Sequence, residues 1–380
     1  MRTTTDLLCG ILLGTCLLSG CERADDADVQ SPPILVRIGH VGHDHHSALY
    51  VAMDHAADYR HRLGVDVNVV EDRRFYELAR AGRKTADVEI VKVGGGSEMP
   101  TALAQGVIDL GFGGVAPVLA GIDSGVPIKL IASLHYKGDM FVVRPDFEAE
   151  TWDEFVAVAR AAERPIRIGY KNPVACAKVI FEEALRHEGI AFGGEPSKEG
   201  LKVHMVNVKG GGKLNVALSG RLVDGYVGNN PFPSIAVEKG LGRIVCDLEE
   251  LPPGTFRDHP CCCIAARKEA IAEKSDAIVD LLALFWEASD TIQHDLDKAV
   301  AATVRWVGTS EAVERMSIPT SGYSMEPSSQ WHAAMGQWIE VMNRLGIFRG
   351  RLKDKSSEEV AQIAYDFSLL EKARQRRGDR

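Results

Sequence analysis

From residue 34 onward, short apolar runs alternate with stretches of helical spacing. Runs rich in Val, Ile and Leu and bounded by Gly, Asp or Asn predict strands at residues 34–39, 65–70, 87–93, 109–113, 128–134, 140–144, 166–169, 201–208, 223–227, 243–247 and 261–266. Most of the intervals between them carry helical patterns. This alternation is the mark of an α/β fold with a largely parallel sheet. After the first run, Ala48, Leu49, Ala52, Met53 and Ala56 fall on one face of a predicted helix, with Ser47 placed to cap it. From about Lys268 the pattern is helical only, and "DAIVDLLALFWEASDTI" is its clearest amphipathic stretch.

Two long segments repeat one plan. "VGGGSEMPTALAQGVIDLGFGGVAPVLAGIDSGVPIKLI" and "VKGGGKLNVALSGRLVDGYVGNNPFPSIAVEKGLGRIV" both run strand, glycine triplet, helix, Asp, short strand, helix, strand. Two lobes of similar construction follow from this. Because open α/β sheets bind ligands beyond the carboxyl ends of their strands, a ligand cleft between the lobes is expected.

The first residues change where such a protein would work. Arg2 precedes "LLCGILLGTCLL", an apolar run shorter than the roughly 20 residues a bilayer span requires, so residues 1–20 read as a signal peptide. Leu18-Ser19-Gly20-Cys21 resembles a bacterial lipobox, which implies lipidation of Cys21, with residues 21–33 as a flexible tether and an extracytoplasmic, membrane-anchored location such as the periplasm. The net charge of −9 and the lack of a basic stripe exclude nucleic acid as a partner. Five cysteines remain beyond the anchor, Cys176, Cys246, Cys261, Cys262 and Cys263. Their odd number and the adjacency of three argue against a disulfide framework.

"GVIDLGFGGVAPVLAGIDSGVPIKLIASL", together with "RIGHVGHDHHSALYVAMD", resembles the nitrate/sulfonate/taurine-type solute-binding proteins of ABC importers, over most of the chain from Ile34. The resemblance implies a type II periplasmic-binding fold. It places one lobe at residues 34–138, the other at 139–256, and a return strand with C-terminal helices at 257–380, joined by crossings near His135 to Arg144 and Pro252 to Cys262. It also implies a monomer without cofactor that hands a small solute to an ABC permease in the inner membrane. The family is related to pyrimidine synthases of yeast thiamine biosynthesis, which carry a Cys-Cys-Cys-Phe-Cys motif; this chain has Cys261-Cys262-Cys263 but continues Ile264-Ala265.

Candidate chemistry concentrates in "HVGHDHHSALY". Three readings stand side by side: a metal site from His40, His43, His45 and His46; a solute pocket using His43, His45 and His46, of which His46 matches the single histidine the family often places there; or a solvated polar turn. Other residues expected at the cleft are Gly114 and Val115 before a helix, His135 at the end of a strand, Tyr170 and Asn172 in "IGYKNPVACAK", and Asn229 and Asn230 in "YVGNNPFPS". His46 and Asn172, from opposite lobes, are both expected to touch the ligand. Strand alternation would put Cys261 and Cys263 on one side and Cys262 on the other, either as apolar packing or as a soft-metal or iron site with His259. There is no P-loop, nucleophile elbow, His-Glu-x-x-His or Cys-x-x-Cys, so no enzyme is expected. The sequence thus predicts a solute-binding lipoprotein, with a metal-ion or metal-chelate binder as the alternative and a synthase-like enzyme as a remote one.

Overall fold

The computed structural model describes residues 34–378; the expected signal peptide and Cys21, the expected lipidation site, lie outside the described residues. Among the described residues no helix is long and apolar enough to cross a membrane.

The strands are β1 (Ile34–His40), β2 (Asp66–Glu71), β3 (Phe75–Arg80), β4 (Arg83–Lys92), β5 (Leu110–Gly114), β6 (Ile128–Lys137), β7 (Asp139–Val143), β8 (Ile166–Tyr170), β9 (Phe192–Gly193), β10 (Val203–Asn207), β11 (Gly225–Asn229), β12 (Arg243–Asp247), β13 (Pro260–Arg267) and β14 (Ser321–Tyr323). They form two sheets, ordered β14-β6-β13-β5-β1-β4-β3-β2 and β12-β7-β11-β8-β10-β9. The chain passes from the first sheet to the second through Gly138, between β6 and β7, and returns between β12 and β13.

The repeated plan reappears as paired topology, since β4-β1-β5-β13-β6 in one sheet corresponds to β10-β8-β11-β7-β12 in the other. In each sheet the central strand lies parallel to both neighbours, and the strand that follows a crossing inserts antiparallel. The sheets are therefore mixed, not largely parallel as the alternation suggested. Hairpin pairing of β2, β3 and β4 adds further antiparallel contacts.

The shared Asp of the repeat acts as a staple. Asp109 accepts from the Arg37 backbone N–H at 2.8 Å and from Lys274 Nζ at 2.8 Å, while its own N–H donates to the Arg37 carbonyl. Asp224 does the same in the second sheet, accepting from the Arg167 N–H at 2.9 Å and from the Arg167 and Arg144 guanidiniums, with its N–H on the Arg167 carbonyl. The most repeated motif of the sequence thus fixes strand register and leaves ligand choice to other residues.

The helix Ser47–Asp54 is buried on every side through Met53, not on one face only. The C-terminal helices Ser275–His294 and Leu296–Val307 pack over what would have been its polar face. Tyr50 stacks on Trp306 there, with ring centroids 5.1 Å apart. Ser47 does not cap the helix; its hydroxyl donates to the Asp44 carbonyl at 2.6 Å and shares a 2.7 Å hydrogen bond with Thr303.

Candidate functional site

The repeated construction directs two sets of loops at each other. A polar cavity of about 310 Å³ lies between the sheets, lined by Val41, His43, the triplet Gly94–Gly96, Ser97 and Glu98 on one side and by Lys171, Asn172, Pro173, Asn207, Lys209, the triplet Gly210–Gly212 and Phe232 on the other. Apart from Phe232, which follows β11, these residues lie at or just after the carboxyl ends of β1, β4, β8 and β10, where an α/β sheet leaves its loops free. A narrow extension with room for about one water continues inward past His43, His45, His46, Gly113, Gly114, Cys176, Cys261 and Cys262.

The cavity wall carries two cations, Lys171 and Lys209, and one carboxylate, Glu98. Lys171 Nζ donates to the Asn229 side-chain oxygen, and among the described residues neither Lys171 nor Lys209 forms an ion pair. Asn172 Oδ1 accepts from the Val174 N–H at 3.1 Å, so its amide NH₂ is what it can offer a ligand. Both glycine triplets, which the repeated plan places between a strand and a helix, wall the cavity on opposite sides. Lys209 was not singled out either. The signal that could have found them is the repeat itself, because equivalent loops of two facing lobes converge.

The histidine loop is no solvated turn, for His40, His43, Asp44, His45 and His46 are all buried. Its four imidazoles also point to different places. His40 Nδ1 bonds Tyr50 Oη at 3.0 Å beside Trp306, away from the cavity. His46 Nδ1 accepts from the Val41 N–H at 3.2 Å, which holds the ring beneath the loop and in the extension rather than the main cavity. His43 alone of the four lines the main cavity, and its Nδ1 has no partner among the described residues. His45 turns toward the crossing, bonding the Gly138 carbonyl at 3.2 Å. Burial holds His43, His45 and His46 well below the ordinary imidazole range, aided by their mutual repulsion and Lys171, and it pushes His40 and His135 to about 4. Each is neutral at physiological pH, with one N–H and one lone pair.

The remaining predicted positions divide. Gly114 lines the extension, whereas Val115 is fully buried behind it and lines neither cavity. Asn229 touches the site through Lys171, its own NH₂ donating to the Asn230 carbonyl at 2.5 Å. Asn230 is spent on structure: its NH₂ donates to Thr320 Oγ1 at 2.9 Å, and its Oδ1 accepts from Ser234. Tyr170 packs under the Lys178 ammonium, 5.3 Å from the ring centroid, and lines neither cavity.

The cysteine run departs from strict alternation. Pairing of β13 with β6 shifts register between Pro260 and Cys262 and again between Cys262 and Cys263, so a bulge at Cys261 turns neighbouring thiols toward one region. Cys261 and Cys262, with His45 and His135, place ligand atoms within 4.8 Å of one another. His259, the expected partner, instead bonds the Phe256 carbonyl at 2.7 Å and faces Asp139, while Cys263 lies outside the group. All five described cysteines are free, and burial raises the thiols of Cys261, Cys262 and Cys263, which makes them poor nucleophiles.

Two mixed α/β sheets joined by two crossings, with a polar cavity between their carboxyl-end loops, define the fold of periplasmic binding proteins. The NMT1-like family model matches residues 30–307, and the chain belongs to that family. Solved structures share the fold: the ligand-binding component of an ABC-type import system from Staphylococcus aureus with zinc bound (15% identical, 90% of this chain and 99% of that one, TM-score 0.68), the nitrate-binding protein of Synechocystis (13%, 90% and 89%, 0.67) and the alkanesulfonate-binding protein of Xanthomonas axonopodis bound to MOPS (16%, 88% and 99%, 0.64). A protein of Methanocaldococcus jannaschii is 30% identical over 131 residues, 34% of this chain and 88% of that one.

Proposed function

We propose that this protein is the extracytoplasmic solute-binding component of an ABC importer, held to the membrane by lipidated Cys21. It captures a small polar or anionic organic solute between its lobes, residues 34–138 with 257–380 and residues 139–256, and presents the closed form to a permease. The observation that carries this reading is the cavity of about 310 Å³, a volume suited to a small molecule, walled from both sheets by glycine-triplet loops and furnished with Lys171, Lys209 and Asn172. Backbone amides of glycine-rich loops approach a ligand closely, and two lysines against the single carboxylate of Glu98 leave the wall net positive. The nitrate- and alkanesulfonate-binding neighbours support an oxyanion or sulfonate class. A solute that touches both walls is bound fully only when the lobes are closed, so it shifts the population toward closure by its differential affinity.

The test is a thermal-shift and calorimetric screen against alkanesulfonates, nitrate and small aminopyrimidines, since a solute at a hundredfold excess over its dissociation constant adds about 2.7 kcal/mol to stability. A shift abolished by Lys171→Met and by Asn172→Ala is the expected result. Stabilisation by none of these classes, or a shift indifferent to both substitutions, refutes the reading.

A further inference from the structure

Behind the solute cavity, at the root of the two crossings, four soft-ligand side chains meet that the solute reading does not use. His45 comes from the turn after β1, His135 from the end of β6, and Cys261 and Cys262 from the start of β13, where Cys262 is the register partner of His135. All four are buried. We propose that His45, His135, Cys261 and Cys262 form a tetrahedral binding site for a zinc-class divalent cation, at the inner extension and outside the main solute cavity.

The geometry is specific. With bonds of about 2.3 Å to sulfur and 2.0–2.1 Å to nitrogen, the edge of a tetrahedron between one sulfur and one nitrogen is roughly 3.6 Å. His45 Nδ1 and Cys261 Sγ stand 3.6 Å apart, and the four ligand atoms all fall within 4.8 Å of one another.

Two backbone carbonyls also select the tautomers. His45 Nε2 donates to the Gly138 carbonyl at 3.2 Å, which leaves the lone pair on Nδ1, facing Cys261. His135 Nδ1 donates to the Tyr136 carbonyl at 3.3 Å, which leaves the lone pair on Nε2, a buried atom with no hydrogen-bond partner among the described residues. Metal-bound imidazoles are commonly oriented by such carbonyls. An unsatisfied buried nitrogen otherwise carries a desolvation cost of about 1–3 kcal/mol.

Charge closes as well. Binding releases one proton from each thiol, and two thiolates with two neutral imidazoles cancel the divalent charge within the ligand set. Cys261 Sγ donates to the buried Asp139 Oδ2 at 3.2 Å, which holds this thiol in place beside the site. The mixed sulfur and nitrogen set favours zinc over oxygen-seeking cations such as Mg²⁺ or Ca²⁺.

The test uses untagged protein stripped with a chelator and titrated separately with Zn²⁺, Co²⁺ and Mg²⁺. One equivalent of Zn²⁺ is expected to bind. Co²⁺ in its place is expected to show the intense visible bands of tetrahedral cobalt together with thiolate-to-cobalt charge transfer in the near ultraviolet. Cys262→Ser and His135→Gln, each checked for folding by circular dichroism, are expected to weaken Zn²⁺ by more than roughly 10-fold, whereas Cys263→Ser and His40→Gln leave it unchanged. If Cys262→Ser fails to fold, the cobalt spectrum of the unaltered protein decides the ligand set. Absence of stoichiometric Zn²⁺, a cobalt spectrum without charge-transfer bands, or binding insensitive to both substitutions overturns the site.

Discussion

Asp224 offers a quantitative test of how the second lobe is held together. Its carboxylate is only 15% exposed and accepts from the Arg167 N–H, from the Arg167 guanidinium at 2.8 and 3.1 Å, and from Arg144 at 2.5 Å. Burial alone would raise its pKa, but the guanidiniums and the amide outweigh it and hold the group at about 2, against 3.8 for an unperturbed Asp. Each pKa unit corresponds to 1.36 kcal/mol, so the ionised carboxylate contributes about 2 kcal/mol near neutral pH. The sign follows from the direction of the shift. A depressed folded pKa gives stability that is complete above 3.8 and is lost as the pH falls through the folded value near 2. Asp224→Asn is therefore expected to lower unfolding free energy by about 2 kcal/mol near pH 7 and by progressively less below pH 3.8, where the native carboxylate itself begins to lose its advantage. Urea unfolding followed by tryptophan fluorescence, with the other four tryptophans replaced by Phe in both proteins so that Trp152 alone reports, measures this, because Trp152 packs on Phe155 and Phe181 in the helical layer over the same sheet. A variant as stable as the native protein near neutral pH, or a difference that does not shrink on acidification, refutes the argument.

Three further outcomes follow from the same structure. Gly138→Ala is expected to destabilise by about 2 kcal/mol or more in thermal melts, because Gly138 has φ +81° and a Cβ would collide with Ser321 Oγ and lie 2.7 Å from His45 Nε2. Asp123→Ala should cost about 2–3 kcal/mol, since its buried carboxylate accepts from the backbone N–H groups of Arg349, Gly350 and Leu352; hydrogen exchange at those amides should accelerate selectively, and unchanged protection there would contradict this. Gly96→Ala meets nothing within 4 Å and should leave the melting temperature unchanged while weakening solute binding at the cavity wall, so a loss of stability with affinity intact would reverse the assignment.

The strands were legible where apolar runs are short and bounded, as with residues 243–247, which form β12 without adjustment. "FYELAR" was missed as β3 because its buried Tyr76, Leu78 and Ala79 fit helical spacing as well as strand alternation, and only pairing with β2 and β4 decides. At the site, the histidine-rich turn and the Cys run were each visible as chemistry, yet their meeting was not. His45 and Cys261 lie in distant parts of the chain, and what joins them is the insertion of β13 beside β6. The bulge that turns Cys261 and Cys262 the same way has no signature in three identical residues. His46 and Asn172 were paired from matching positions after strands, but the Val41 amide draws His46 under the loop and leaves His43 facing the main cavity.

The antiparallel insertions also impose an order on the closing of the two sheets as the chain emerges. Every strand of the second sheet lies between Asp139 and Asp247, so that sheet can close while the rest of the chain is still to be made. The first sheet cannot: until Pro260–Arg267 emerges, β5 and β6 have no strand between them, and their facing edges stay open to other chains. The half of the protein that is begun first is therefore finished last, and it is the half whose unpaired edges a holding chaperone would have to shield.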